Sequence, residues 1–220
     1  MVISMRKMAV LFCMIGMMCI VKREYIVGAE KRCELVAEDA VAVTSQDIQV
    51  DIPPLQLYAQ GAVLMDAKSG RVLYSKNGKE QLPMASTTKI MTGILAIEYG
   101  NLTDVITIDS SAAGIEGSSM YLNPNEKVTL ETLVYGLLLR SGNDAAVAIA
   151  QHISGSEAEF VNLMNKKASE LGLHNTHFEN PHGLPSSNHY TTARDLSLIS
   201  VYAMQKPFFR EIVSTKYYEN

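Results

Sequence analysis

The sequence predicts a mixed α and β fold, in which an antiparallel sheet is flanked by helices and a separate lobe is entirely helical. Two short strand-like runs on either side of a glycine-containing turn, at residues 61–75, indicate a hairpin. Residues 144–153 are nearly all Ala, Val and Ile, and a helix without a polar face belongs inside such a lobe. The chain has 220 residues and is 47% hydrophobic, which suffices for one domain with a substantial core.

The first 29 residues have the pattern of a secretory signal peptide. Arg6 and Lys7 precede an uncharged apolar run at residues 8–21, and small residues at 27–29 offer a cleavage site. A helix over that apolar run would span about 21 Å, less than the roughly 30 Å of a bilayer core, so a transmembrane anchor is the less favoured alternative. We therefore expect export to the extracytoplasmic side, in the periplasm or on the cell-wall side of the membrane.

Removal of this segment would leave an acidic protein without an internal disulfide. Residues 1–29 carry four basic side chains and one acidic side chain, so the formal net charge would change from −4 to −7. An acidic surface argues against a nucleic-acid partner. Of the three cysteines only Cys33 would remain, so stability has to come from packing.

The folded domain is predicted at residues 58–220, after a linker or lead-in at residues 30–57 that is rich in acidic residues, Ala and Val. Its strands at 61–66 and 71–75 are joined by a turn with Gly70 in the left-handed position. Apolar residues at spacings of three and four, together with two capping boxes that begin at Ser156 and Thr192, predict five helices. They cover residues 86–99, 129–139, 144–153, 156–172 and 192–206.

Ser86 and Lys89 are the first candidate catalytic residues. They stand three apart at the predicted start of a helix, so both side chains emerge from one face, with a hydroxyl beside a potential base. The same S-x-x-K spacing also occurs at Ser4 and Lys7, so the motif alone is weak and the helix context supports the later pair. An ordinary N-cap followed by a solvated lysine is the alternative.

Lys89 can act as a base only if its pKa falls from about 10.4 to about 7. That shift corresponds to roughly 4 to 5 kcal/mol, whereas the dipole at a helix N-terminus supplies at most about 2 kcal/mol. Burial and a second nearby cation therefore have to supply the rest. Met84, Ile90 and Met91 provide a plausible apolar surrounding.

Ser141 and Asn143 are the second pair of candidates, on the short connection between two apolar helices. Ser141 could relay a proton toward a leaving amine, and Asn143 could hold a substrate amide. Gly142 between them allows a close turn of the backbone. The alternative is a simple helix–helix turn with Ser and Asn as caps.

Three blocks of the sequence, at residues 83–91, 140–145 and 178–196, together resemble the serine D-alanyl-D-alanine carboxypeptidases, the low-molecular-mass penicillin-binding proteins. Asn-Pro-His-Gly-Leu at residues 180–184 is the most specific part of the third block. The resemblance covers the chain from about Tyr58 onward. It implies the penicillin-recognising serine transpeptidase/β-lactamase-like fold, and it implies no cofactor and no metal.

The same resemblance implies the reaction. Ser86 would attack the carbonyl between the two terminal D-alanines of a peptidoglycan stem pentapeptide, Lys89 would take its proton, and Ser141 would assist. Asn143 would bind the substrate, and the backbone N–H of Ser86 would hold part of the oxyanion. Water would then release the acyl-enzyme, and β-lactam antibiotics would acylate the same serine.

One element of the family pattern does not occur in these 220 residues. K-T-G should follow the Ser141 motif, but neither K-T-G nor K-S-G follows Asn143, and Lys68-Ser69-Gly70 is rejected because it comes first and lies on a hairpin turn. We therefore expect a C-terminally truncated chain with an incomplete fold and poor activity on its own. Any membrane association would come from a segment beyond the chain.

Other functions stay open at this point. A class A β-lactamase needs an E-x-x-x-N loop, but the fourth residue after Glu179 is Gly183. A Ser-His-Asp hydrolase would need a G-x-S-x-G elbow, and zinc would need more than the loop histidines at 174, 177, 182 and 189. A further alternative is a noncatalytic exported module that binds wall peptide or β-lactam. It would differ from an enzyme only in that it does not turn the bound molecule over.

Overall fold

The computed structural model describes residues 17–20 and 56–219. The rest of the predicted signal peptide, and the linker as far as residue 55, lie outside the described residues. Strands β1 to β7 are Met17–Ile20, Gly61–Met65, Val72–Lys76, Leu82–Pro83, Val105–Thr107, Lys127–Thr129 and Tyr190–Thr191. Helices α1 to α6 are Lys89–Tyr99, Leu130–Leu139, Asn143–Ser154, Glu157–Glu170, Ala193–Met204 and Pro207–Ser214, and a 3₁₀ turn at Ala85–Thr88 precedes α1.

The predicted hairpin is confirmed. Strands β2 and β3 pair antiparallel, with Ala62 opposite Lys76 and a bulge between Leu64 and Met65, and Gly70 in the connecting turn has a φ of +69°. Strand β1 joins the other edge of β2 in parallel, so this three-stranded sheet is not antiparallel throughout.

The helical lobe is built around α3, as its composition predicted. Every residue of α3 from Asn143 to Ala150 is buried, and α1, α2 and α4 pack against it. Helix α1 is likewise buried from Lys89 to Ala96. Since the N-terminal ends of α1 and α3 meet inside this lobe, the side chains of Lys89 and Asn143 are brought into contact there.

Both predicted capping boxes are half formed. The hydroxyls of Ser156 and Thr192 accept the backbone N–H groups of Glu159 and Asp195, which starts α4 and α5 where the sequence placed them. The carboxylate of Asp195 does not return to its cap; it accepts hydrogen bonds from the backbone N–H of Asn175 and from a neighbouring hydroxyl. Groups that are distant in the sequence have thus replaced the backbone N–H of the cap residue as partners of this carboxylate.

The sequence did not predict the five strands outside the hairpin or the last helix. Strands β5 and β6 form a small antiparallel ribbon, and helix α6 begins with Pro207 in its first turn. Strand β4 pairs with β7, with Pro83 opposite Tyr190, which places the residues just before Ser86 next to the end of the loop that contains His189. Among the helices of the described ranges, none is long and apolar enough to cross a membrane.

Candidate active site

Ser86 lies in the 3₁₀ turn that leads into α1. The turn begins at Ala85, whose φ of +43° is in the left-handed region that residues with a Cβ rarely adopt. Ser86 is exposed, whereas Lys89 is only 2% exposed. The two side chains meet as the spacing predicted, with Lys89 Nζ 3.2 Å from Ser86 Oγ. Because Lys89 is buried, the alternative of a solvated lysine is wrong.

Two further oxygens surround the Lys89 amine. Its Nζ donates to Asn143 Oδ1 at 2.7 Å and to the backbone carbonyl of His182 at 2.6 Å. Both of these oxygens can only accept hydrogen bonds, whereas the Ser86 hydroxyl can donate or accept. The amine is therefore held between two fixed acceptors and one exchangeable hydroxyl.

Asn143 links the amine to a loop on the other side of the cleft. Its side-chain N–H₂ donates to the carbonyl of Glu116, and its backbone N–H donates to the carbonyl of Ser118 at 2.7 Å. The amide oxygen is occupied by Lys89, so the structure uses this residue to position Lys89 as well as to line the cleft. Its predicted contact with a substrate amide stays a prediction.

Ser141 lies half-buried on the connection between α2 and α3, with a φ of +58°. A non-glycine residue in this region stores backbone strain, which is common at functional sites. Its hydroxyl makes no hydrogen bond within the part of the chain that the structure describes, and it is not among the residues that line the cleft. The predicted proton relay through Ser141 therefore stays a prediction.

Asp144 is a site residue that the sequence analysis did not assign. Its fully buried carboxylate accepts hydrogen bonds from the Ser119 hydroxyl and from the backbone N–H groups of Met120, Leu122 and Ala145, at 2.6 to 3.1 Å. Burial alone would raise the pKa of Asp144, but these hydrogen bonds outweigh it and lower the pKa below its ordinary value. The carboxylate thus fixes the loop at residues 116–122 against α3. A lone acidic residue at the start of an otherwise apolar helix was its only signal in the sequence.

The block at residues 180–184 packs directly on the turn that carries Ser86. The Thr92 hydroxyl donates to the carbonyl of Pro181 at 2.6 Å, next to the carbonyl that Lys89 uses. Gly183 has a φ of +92°, and a Cβ there would lie 1.9 Å from the carbonyl oxygen of Ala85. Only glycine allows this contact, which gives the Asn-Pro-His-Gly-Leu block a physical role that sequence reasoning missed.

Three of the four loop histidines, at 177, 182 and 189, have hydrogen-bond partners within the protein. Burial is the main reason why the pKa of His182 falls to about 4, and the nearby Lys89 and His189 lower it further. Its Nδ1 accepts the backbone N–H of Leu184 at 3.1 Å. Within residues 17–20 and 56–219, no group of three or more potential ligands could hold a metal ion.

Glu179 is not among the residues that line the cleft beside Ser86. Its carboxylate accepts hydrogen bonds from the Ser186 hydroxyl and from the backbone N–H of Asn188, and these bonds lower the pKa of Glu179. The residue therefore closes its own exposed loop, which disfavours the β-lactamase alternative, in which a glutamate activates water beside the nucleophile.

These segments enclose a cleft of about 370 Å³. It opens over Ser86 and is lined by Pro83, Met84, Ala85, Ser86, Gly117, Ser118, Asn143, His182, Gly183, Leu184, Pro185, Ser186 and His189. The site thus combines an exposed hydroxyl, a buried amine in contact with it, and a largely apolar wall that can exclude water.

Comparison with known proteins identifies one family. Residues 46–220 match the model of Peptidase_S11, described as D-alanyl-D-alanine carboxypeptidase. The chain is 46% identical over 147 residues to the D-alanyl-D-alanine carboxypeptidase DacF of Bacillus subtilis, which covers 64% of this chain and 38% of that protein. It is 40% identical over 178 residues to DacA of Haemophilus influenzae, with 77% and 45% covered.

Solved structures agree with this match. Penicillin binding protein 6B from Escherichia coli superposes with a TM-score of 0.71 at 31% identity, covering 79% of this chain and 59% of that one. This similarity confirms the predicted serine transpeptidase/β-lactamase-like fold. The chain spans less than half the length of the two curated relatives described above.

Proposed function

The chain belongs to the D-alanyl-D-alanine carboxypeptidase family, and on that premise we propose that it removes the terminal D-alanine from peptidoglycan stem pentapeptides through an acyl-enzyme on Ser86. The observation that carries this proposal is the contact between the exposed Ser86 hydroxyl and the buried Lys89 amine, at 3.2 Å. β-Lactam antibiotics would acylate the same hydroxyl.

The surroundings of Lys89 support its role as the base. A neutral amine has two N–H donors and one lone pair, and the carbonyl of His182 and the amide oxygen of Asn143 can take only the two donors. The lone pair then turns toward Ser86 Oγ, which is the atom that must lose a proton. The two fixed acceptors thus orient the base.

The reaction follows from this arrangement. Ser86 Oγ attacks the substrate carbonyl while its proton passes to Lys89 Nζ, and the new C–O bond gives a tetrahedral oxyanion. When the C–N bond breaks, Lys89 returns the proton to the departing D-alanine amine. Water then attacks the ester and releases Ser86. The backbone N–H of Ser86, at the start of the turn, supports the oxyanion.

Mass spectrometry of the full-length protein after exposure to benzylpenicillin tests the nucleophile. We expect one covalent addition on the peptide that contains Ser86, and no addition in Ser86→Ala. A protein that is labelled at Ser86 but does not release D-alanine from diacetyl-Lys-D-Ala-D-Ala would be a binding module rather than an enzyme. A protein with no addition at all would exclude both. Rapid turnover of nitrocefin would instead favour a β-lactamase.

We further propose that the protein acts outside the cytoplasm, where peptidoglycan is built, and that it contributes to cell-wall biogenesis and cell shape. The charged start, apolar run and small residues of residues 1–29 support export. N-terminal sequencing of the protein recovered from the extracytoplasmic fraction should begin at or near Glu30. Recovery of the protein in the cytoplasm with Met1 retained would contradict the proposal.

A further inference from the structure

Thr88 connects the nucleophile turn to a histidine that is 101 residues away in the sequence. Its side-chain oxygen lies 2.8 Å from the carbonyl oxygen of Ala85 and 2.7 Å from Nε2 of His189. Thr88 is fully buried and His189 is 5% exposed, so water does not compete for these contacts. The two hydrogen bonds run in series from the imidazole to the turn.

The second ring nitrogen determines the direction of this series. Nδ1 of His189 lies 2.9 Å from the backbone N–H of Glu179, which can only donate. Nδ1 must therefore carry the lone pair, and the proton of the neutral ring resides on Nε2. Nε2–H then donates to the Thr88 oxygen, and the Thr88 hydroxyl donates to the carbonyl of Ala85.

The Ala85 carbonyl belongs to the same peptide group as the N–H of Ser86. A peptide group is planar, so a hydrogen bond that holds its oxygen also fixes the direction of its N–H. This control is needed here because Ala85 has a φ of +43°, a conformation that costs of order 1 to 3 kcal/mol unless the surroundings hold it. Gly183 packs closely against the same carbonyl, since a Cβ added there would lie 1.9 Å from its oxygen.

We propose that His189 is a positioning residue for acylation: as a neutral Nε2–H imidazole it holds the Thr88 hydroxyl on the Ala85 carbonyl, and thereby aims the Ser86 N–H at the developing oxyanion. The inference rests on the proposed function, because it concerns acylation of Ser86. His189 touches neither the substrate nor the reacting atoms; it acts through Thr88.

The neutral ring is required, and the site maintains it. Two neighbouring side chains act electrostatically on His189: the Glu179 carboxylate favours protonation of the ring, and His177 opposes it. His182, which lines the cleft, is also close to His189. Burial outweighs them and lowers the pKa of His189 to about 4. Below that pH a second ring proton would appear on Nδ1 and meet the N–H of Glu179, so the ring would move away from Glu179 and its contact with Thr88 would be disturbed.

The test measures the rate at which a fluorescent penicillin acylates Ser86, together with the thermal unfolding midpoint, in four variants. Thr88→Val removes the hydroxyl at nearly constant shape, and Thr88→Ser keeps it as the matched control. His189→Gln can accept from Glu179 and donate to Thr88, whereas His189→Leu can do neither.

We expect Thr88→Val and His189→Leu to acylate about five to ten times more slowly at pH 7, the effect of about one hydrogen bond. Thr88→Ser and His189→Gln should stay within about twofold of the unmodified protein. The unmodified protein should lose further rate as the pH falls through about 4, and His189→Gln should lack that part of the decline because an amide does not titrate.

Several outcomes would overturn the inference. The inference is wrong if Thr88→Val and the unmodified protein acylate at equal rates. It is also wrong if His189→Gln has a lowered unfolding midpoint but the same pH dependence of the acylation rate as the unmodified protein. If Thr88→Val does not fold, the His189→Gln pH profile decides alone. Nitrogen NMR of His189 gives an independent check, since a proton on Nδ1 at neutral pH contradicts the assignment even when acylation occurs. Absence of acylation in the unmodified protein would overturn the proposed function first, and the inference with it.

Discussion

Replacing Asp144 by Asn should destabilise the protein strongly, although the two side chains have nearly the same shape. Four donors converge on the buried carboxylate of Asp144, and Met120 N–H lies 3.0 Å from both oxygens. An asparagine keeps one accepting oxygen and places an N–H₂ group where the other oxygen was. Even with the amide oxygen in place of Oδ2, the N–H of Ala145 loses its acceptor and faces the new N–H₂ group, so two buried donor groups are left unpaired.

Each buried donor left without an acceptor costs about 1 to 3 kcal/mol, so we expect a loss of about 3 to 5 kcal/mol in the free energy of unfolding. For a domain of this size that corresponds to a fall of roughly 10 °C in the unfolding midpoint. Asp109→Asn is the matched control, because its carboxylate accepts the N–H and hydroxyl of Ser111 in an exposed turn where water can replace them. Its midpoint should stay close to that of the unmodified protein.

The pH dependence provides a second check on Asp144. Since the fold lowers the pKa of this carboxylate, its contribution to stability is present above about pH 4 and is lost as the pH falls through the folded-state pKa. The difference between Asp144→Asn and the unmodified protein, measured by urea unfolding, should therefore shrink in acid. Similar small losses for Asp144→Asn and Asp109→Asn would refute the view that this carboxylate holds the loop.

Three further predictions follow from the site. Gly183→Ala should slow acylation of Ser86 by at least about tenfold, because a Cβ would displace the Ala85 carbonyl. Gly155→Ala is the control, since Gly155 also has a positive φ but has open space around it; it should lose about 1 to 2 kcal/mol of stability and keep its acylation rate. The reverse order of acylation rates would contradict the packing argument. Because the fold lowers the pKa of His189, its contribution to the free energy of unfolding should be fully present above about pH 6.5 and should decline by up to about 3 kcal/mol toward pH 4. If urea unfolding of His189→Gln shows the same pH dependence as the unmodified protein, this effect is excluded. Lys89→Met should reduce the acylation rate at least about a hundredfold while circular dichroism still shows folded helices, and an unchanged rate would remove the amine from the mechanism.

The parts of the fold that the sequence predicted are those that local patterns determine. The hairpin, the buried α3 helix and the starts of α4 and α5 follow from alternation, apolar composition and cap residues within a few positions. The pairing of β4 with β7 could not be predicted in this way, since two-residue strands leave no periodicity and the partner is more than 100 residues distant.

The same distinction between local patterns and long-range contacts applies to the candidate site. Ser86 and Lys89 were found because their spacing places both side chains together, and this contact is local. The carbonyl of His182 was not found, because every residue has a backbone carbonyl and only the fold selects the one that meets Lys89. The left-handed Ala85 escaped prediction for a related reason, since alanine does not favour that conformation and distant contacts impose it.

The distances along the chain that separate these partners have a consequence during biosynthesis. Lys89 needs a carbonyl 93 residues later, and Thr88 needs a ring 101 residues later. A ribosome adds roughly 5 to 20 residues per second, so α1 is synthesised about 4 to 20 seconds before residues 182–189. Until then the turn lacks the distant partners of Lys89 and Thr88, and we expect the nascent protein to react more slowly with a wall peptide or an antibiotic.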